Sequence, residues 1–154
     1  MRLSDLYQQV ILDHYRRPRN QGKLPLCDLC LELHNPTCGD VIEVSAVTDG
    51  NGRVTDIKFT GRGCSISQAS ASMMTEAVKG KTLAEAEAVI QQVKAMLRGE
   101  PGDYRSLGQL QSLEGVSKLH ARVKCAALAW NVLEQAIRAQ AARVPGREKG
   151  GPKP

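Results

Sequence analysis

The chain has 154 residues, the length of one ordinary domain, with 21 Lys and Arg against 16 Asp and Glu for a net charge of +5. Three of those units fall in residues 143–154, leaving +2 on residues 1–142, so the basic character belongs largely to the tail and argues weakly for nucleic acid. Five aromatics (Tyr7, Tyr15, Phe59, Tyr104 and Trp130) are too few for a base-stacking platform, and no apolar run approaches a membrane span.

Residues 4–16 read as an amphipathic helix, with Ser4 as cap and Leu6, Tyr7, Val10, Ile11 and His14 at helical spacing. Its longest apolar run, Val10-Ile11-Leu12, stops at Asp13, which is no signal-peptide core. The expectation is a soluble cytoplasmic protein whose thiols stay reduced. Pro18-Arg19-Asn20-Gln21-Gly22 breaks the helix. From Asp28 to His34, Leu29, Leu31 and Leu33 alternate with the period of a half-buried strand. Two more strands are expected at Val41–Thr48 and Val54–Phe59, joined through the hairpin signal Asp49-Gly50-Asn51-Gly52. A helix follows from Ser65 or Ser67 to Val78, ended by Gly80. Thr82-Leu83-Ala84-Glu85 matches a capping box opening a helix to about Arg98. Residues 99–118 read as loop with one short helix at Ser106–Leu113, and a long helix spans Ala121–Ala142. Strands followed by helices predict an α+β fold: a small three-stranded, mainly antiparallel sheet with helices packed on one face. The domain is expected over 1–142, with 143–154 a basic, disordered tail.

The five cysteines are Cys27, Cys30, Cys38, Cys64 and Cys125, an odd count that does not suggest a small disulfide scaffold. Cys38 lies in a turn between two strands, with Asp40 two residues on. Cys64 follows Gly61-Arg62-Gly63 and precedes a helix, where free amides and the dipole favour a thiolate. Cys125 sits one turn after Arg122 and beside Lys124. Three thiolates and Asp40 would suit zinc, but no two of these cysteines share a Cys-x-x-Cys knuckle, so separate buried thiols remain open. Cys27 and Cys30 do form that motif. On one strand an offset of three puts them on opposite faces, and they read as bystanders unless a loop at Cys27 lets them chelate or pair. Met73 and Met74 read as packing, Trp130 as an anchor of the last helix on the sheet, and the glycines at 61 and 63 as room for a tight approach. His14 and Tyr15 read as core before docking surface.

These motifs carry a resemblance. Asn35-Pro36-Thr37-Cys38-Gly39-Asp40, Gly61-Arg62-Gly63-Cys64-Ser65-Ile66-Ser67, Ala69-Ser70-Ala71-Ser72-Met73-Met74-Thr75-Glu76 and Ala121-Arg122-Val123-Lys124-Cys125-Ala126-Ala127-Leu128-Ala129-Trp130 are similar to the U-type iron–sulfur cluster assembly proteins, with the SufE/NifU-like fold that this implies. Ile11-Leu12-Asp13-His14-Tyr15 and Pro18-Arg19-Asn20 add to it. The scaffold branch, IscU-like, usually has a histidine before the third cysteine and a Pro-Pro motif nearby. Here Lys124 holds that position, Val116–His120 has no proline, and the stretch around 99–118 looks like the insertion of the SufU branch.

The resemblance implies Zn2+ held by Cys38, Asp40, Cys64 and Cys125, with Arg62, Arg122 and Lys124 offsetting the excess negative charge. It further implies that a histidine of a PLP-dependent, SufS-type cysteine desulfurase displaces Cys38 from zinc. Cys38 then accepts the persulfide sulfur for downstream Suf cluster-assembly components. Any sulfurtransferase-like activity would need that partner; no membrane or nucleic acid is expected. The alternative is an IscU-type scaffold that builds an iron–sulfur cluster, or holds iron, on Cys38, Cys64 and Cys125.

Overall fold

Alternation builds the sheet. In the computed structural model, which describes residues 3–36 and 39–143, β1 (Leu29–Asn35), β2 (Asp40–Thr48) and β3 (Val54–Arg62) form one antiparallel sheet in the order β1-β2-β3. Leu29, Leu31 and Leu33 pair with Ala46, Val44 and Ile42, which in turn pair with Ile57, Phe59 and Gly61. One face of the sheet is therefore apolar across all three strands, and Ile42, Val44, Ala46, Ile57 and Phe59 are fully buried there. On the other face the Leu24 N–H donates to Ser45 Oγ at 3.1 Å and Lys23 pairs with Glu43 at 3.2 Å. The segment between α1 (Leu3–Arg16) and β1 first lies along the free edge of β3, where Gly22 N–H donates to the Phe59 carbonyl. It then crosses the second face to enter β1.

The helices α2 (Ser65–Val78), α3 (Leu83–Leu97) and α4 (His120–Arg143) follow, with α2 and α4 against the sheet. Ala69, Met73 and Met74 of α2 and Ala126, Trp130 and Leu133 of α4 join the sheet's apolar face in one core. The α+β architecture is the expected one. The capping box of α3 is complete, Thr82 accepting from Glu85 N–H and Glu85 from Thr82 N–H. α1 begins at Leu3, so Ser4, read as its cap, falls inside the helix.

Two further expectations, for residues 99–118 and for Cys27 and Cys30, are corrected, and the one for Trp130 is borne out and extended. Residues 105–118 are a run of 3₁₀ turns, Arg105–Lys118, interrupted at Gly108, where a loop with a helix at 106–113 was expected. Leu107, Leu110, Leu113 and Val116 are buried along it, and that period of three matches three residues per turn. Trp130 anchors α4 on α2 through an indole N–H donated to Ser70 Oγ at 2.9 Å, as well as joining the core with the sheet. Cys27 and Cys30, read as bystanders with reduced thiols, form a disulfide. β1 starts at Leu29, so Cys27 precedes the strand and the opposite-face argument does not apply to it. The tail expected to be disordered lies, from residue 144 on, outside the described residues.

Candidate metal centre

Two pairings bring the site together. Antiparallel pairing of β2 with β3 sets Val41 opposite Arg62, so the start of β2 meets the chain as it leaves β3 toward α2. Asp40 thereby comes beside Gly63 and Cys64. Gly63 has φ +143°, and a Cβ there would run into the Asp40 carboxylate, so only glycine lets the backbone pass. Cys64 is the N-cap of α2, and its N–H donates to Asp40 Oδ1 at 2.9 Å. The second pairing is α2 on α4. Ser70 Oγ donates to the Ala126 carbonyl at 2.7 Å and accepts from Trp130, which clamps the helices one residue past Cys125. The clamp was missed in the sequence. Its signal was the small residues of α2 around Ser70, the one that bonds across to the Ala126 carbonyl and the Trp130 indole of α4.

The result is that Asp40, Cys64 and Cys125 each offer a ligand atom within 4.8 Å of the others. Asp40 is 1% exposed and Cys125 fully buried, while Cys64 is half-buried and opens the cluster outward. Cys64 Sγ stands 3.6 Å from Asp40 Oδ2. Tetrahedral zinc with Zn–S of about 2.3 Å and Zn–O of about 2.1 Å requires a sulfur–oxygen separation of about 3.6 Å. Two thiolates and a carboxylate are donors that zinc accepts, and the separation of Cys64 Sγ from Asp40 Oδ2 matches the zinc value. Arg122 is exposed on α4 beside both thiols. Its hydrogen bond with Cys125, then the charge of Cys64, hold its guanidinium pKa above the ordinary value.

Cys38, the expected nucleophile and fourth ligand, lies outside the described residues, as does Thr37. Arg62 and Lys124, expected to balance charge with Arg122, are both exposed, and neither has a described bond to the cluster. His14 is buried among α1, α2 and the 3₁₀ run, its Nδ1 2.8 Å from Ser72 Oγ and Nε2 3.0 Å from Gln109 Oε1. It is a core histidine. Tyr15 is 45% exposed.

The model of the NifU-like N terminal domain matches residues 6–145. The chain belongs to this family. It is 45% identical over 150 residues to the zinc-dependent sulfurtransferase SufU of Bacillus subtilis, covering 97% of this chain and 95% of that protein. It is 43% identical to the iron–sulfur cluster assembly scaffold protein IscU of Streptococcus pyogenes, covering 91% and 87%. Among solved structures, a candidate iron–sulfur cluster assembly scaffold protein for the SUF system from Fervidobacterium islandicum superposes with a TM-score of 0.78. It is 33% identical, with 86% of this chain and 97% of that one covered. The family match accounts for the three-stranded sheet with helices. Among the described residues no helix is long and apolar enough to cross a membrane.

Proposed function

We propose that this chain is a zinc-holding sulfur acceptor. In this reading it takes persulfide sulfur from a SufS-type, PLP-dependent cysteine desulfurase in the cytoplasm and delivers it to iron–sulfur cluster assembly. The observation that carries the reading is the Asp40–Cys64–Cys125 cluster, with ligand atoms within 4.8 Å of one another. The zinc-dependent SufU relative, matched from end to end, supports it.

Cys38 is the fourth ligand and the nucleophile. Only two peptide units, at most about 7.6 Å from Cα to Cα, separate it from Asp40. Zinc, when bound, supplies the charge that gathers the thiolates and keeps Cys38 unreactive. Asp40, Cys64 and Cys125 hold their places throughout, Asp40 through the Cys64 N–H and Cys64 through its cap position. A histidine of the desulfurase would stand in for Cys38 in the ligand set and leave its thiolate free. The freed thiolate attacks the outer sulfur of the partner's persulfide, a new S–S bond forms at Cys38, and the partner's cysteine leaves as thiolate. Arg122, beside both thiols, offsets negative charge while this happens, and the exposed Arg62 and Lys124 add to it.

A second reading, an IscU-type scaffold that assembles a cluster on the same cysteines, is favoured by the nearly equal 43% identity to the Streptococcus protein. Lys124 in place of histidine and the 3₁₀ insertion speak for sulfur transfer. Metal analysis of anaerobically purified protein, paired with a desulfurase assay, tests the choice. One zinc per chain with stimulated cysteine turnover supports the acceptor. Bound zinc without stimulation, or a brown cluster that passes intact to an apo-acceptor, overturns it.

A further inference from the structure

The Cys27–Cys30 disulfide stands apart from the metal centre. β1 begins with Leu29 opposite Ala46, whereas Asn35, at its other end, pairs with Asp40. Five residue steps along β1, about 17 Å, separate Cys30 from Asn35 beside Asp40, so the disulfide cysteines cannot serve the metal centre as ligands. Cys30 is exposed at the sheet's edge, and Leu26, the residue before Cys27, is 81% exposed, with Pro25 also open to solvent.

The chain on either side of this disulfide is held without it. Leu24 N–H bonds Ser45 Oγ, Asp28 N–H bonds the Ala46 carbonyl at 2.8 Å, and Asp28 Oδ2 accepts from Thr48 N–H at 2.6 Å and from its hydroxyl at 2.9 Å. A disulfide that closes so short a loop constrains the unfolded chain least. Opening it should cost the fold little, and its exposure leaves it open to attack.

We propose that Cys27 and Cys30 are a second thiol site, a solvent-facing dithiol–disulfide couple that exchanges with external dithiols independently of the metal centre. A thiolate of the reductant attacks Cys30 Sγ, the Cys30–Cys27 bond breaks, and Cys27 leaves as thiolate and takes a proton. The reductant's second thiol then attacks its own sulfur in the mixed disulfide. Cys30 is released and protonated, and the reductant departs as a disulfide, two electrons and two protons having passed to the protein. Exchange with an external disulfide runs the steps in reverse. The exposed Pro25 and Leu26 give an apolar surface against which a protein carrying such a dithiol can rest.

The test uses the zinc-loaded full chain, equilibrated in dithiothreitol of rising reduced-to-oxidised ratio, alkylated, and mapped by peptide mass spectrometry. The couple predicts that Cys27 and Cys30 pass together from unlabelled to doubly labelled in one two-electron step, with zinc content and melting curve unchanged. In Cys27→Ser, oxidised glutathione should add to Cys30 several-fold faster than it adds to Cys27 in Cys30→Ser. Should either variant fail to fold, the wild-type titration decides. A pair that stays unlabelled until denaturant is added is a structural staple and overturns the proposal. So does a melting curve that collapses on reduction, or a pair already alkylated before any reductant is present.

Discussion

One carboxylate serves Cys64 twice: Asp40 Oδ1 accepts the Cys64 N–H at 2.9 Å, and Oδ2 stands 3.6 Å from its sulfur. Asp40 thus fixes the start of α2 as well as offering a metal ligand. Asp40→Ala removes both, and should lower zinc content well below one per chain and cost about 1–3 kcal/mol of stability even in the metal-free protein. Zinc analysis and denaturant unfolding with and without chelator read the two effects separately.

Gly63 permits that approach. Gly63→Ala places a Cβ against the Asp40 carboxylate at a φ that side chains rarely adopt. It should cost about 1–3 kcal/mol and weaken zinc retention although no ligand has been changed. An unaltered melting temperature with full zinc would show that the backbone does not need glycine there.

Arg122 contributes charge and no ligand. Arg122→Ala should leave the melting curve of the chelator-treated protein unchanged, because the side chain is exposed. It should weaken zinc binding about 2–5-fold through loss of the cation beside Cys125 and Cys64. Competition against a chromogenic chelator gives the ratio directly.

Away from the site, buried Glu134 of α4 ties α3 to α4, accepting from Lys94 Nζ at 2.7 Å and Gln91 Nε2 at 2.6 Å. Burial pushes its pKa up, but the bonds from Lys94 and Gln91 and the charges of Lys94 and Arg138 outweigh this and hold it below the ordinary 4.5. A carboxyl with a depressed folded-state pKa contributes stability above its unfolded value, and that contribution is lost as pH falls through the folded value. Glu134→Gln should therefore cost about 1–3 kcal/mol at pH 7 and flatten the acid limb of the stability profile below about pH 4.5. Equilibrium unfolding from pH 7 down to pH 3 checks both.

The parts of the fold that were legible are those with local signatures. Leu29, Leu31 and Leu33 alternate because one face of β1 meets the core, and Asp49–Gly52 turns the β2–β3 hairpin with the Asp49 carboxylate accepting from Asn51 and Arg53 N–H. The 3₁₀ run was not legible, since Leu107, Leu110, Leu113 and Val116 repeat every three residues and match neither the helix nor the strand period. The disulfide was the lesser reading, left open only if Cys27 lay in a loop, and β1 beginning at Leu29 leaves Cys27 in one. The approach of Asp40, Cys64 and Cys125 could not be read from spacing. It arises from the β2–β3 register and the Ser70–Trp130 clamp, both long-range, so only resemblance to a family pointed to it beforehand.

The central claim is that Cys38 receives sulfur while Asp40, Cys64 and Cys125 keep the metal. The most direct measurement is mass spectrometry of the zinc-loaded protein after turnover with its cognate cysteine desulfurase and cysteine, thiols blocked before digestion. One added sulfur on Cys38, with none on Cys64 or Cys125 and no adduct in Cys38→Ala, is the predicted result. Sulfur on Cys64 or Cys125, or an unmodified Cys38 under a turning-over desulfurase, would contradict the account.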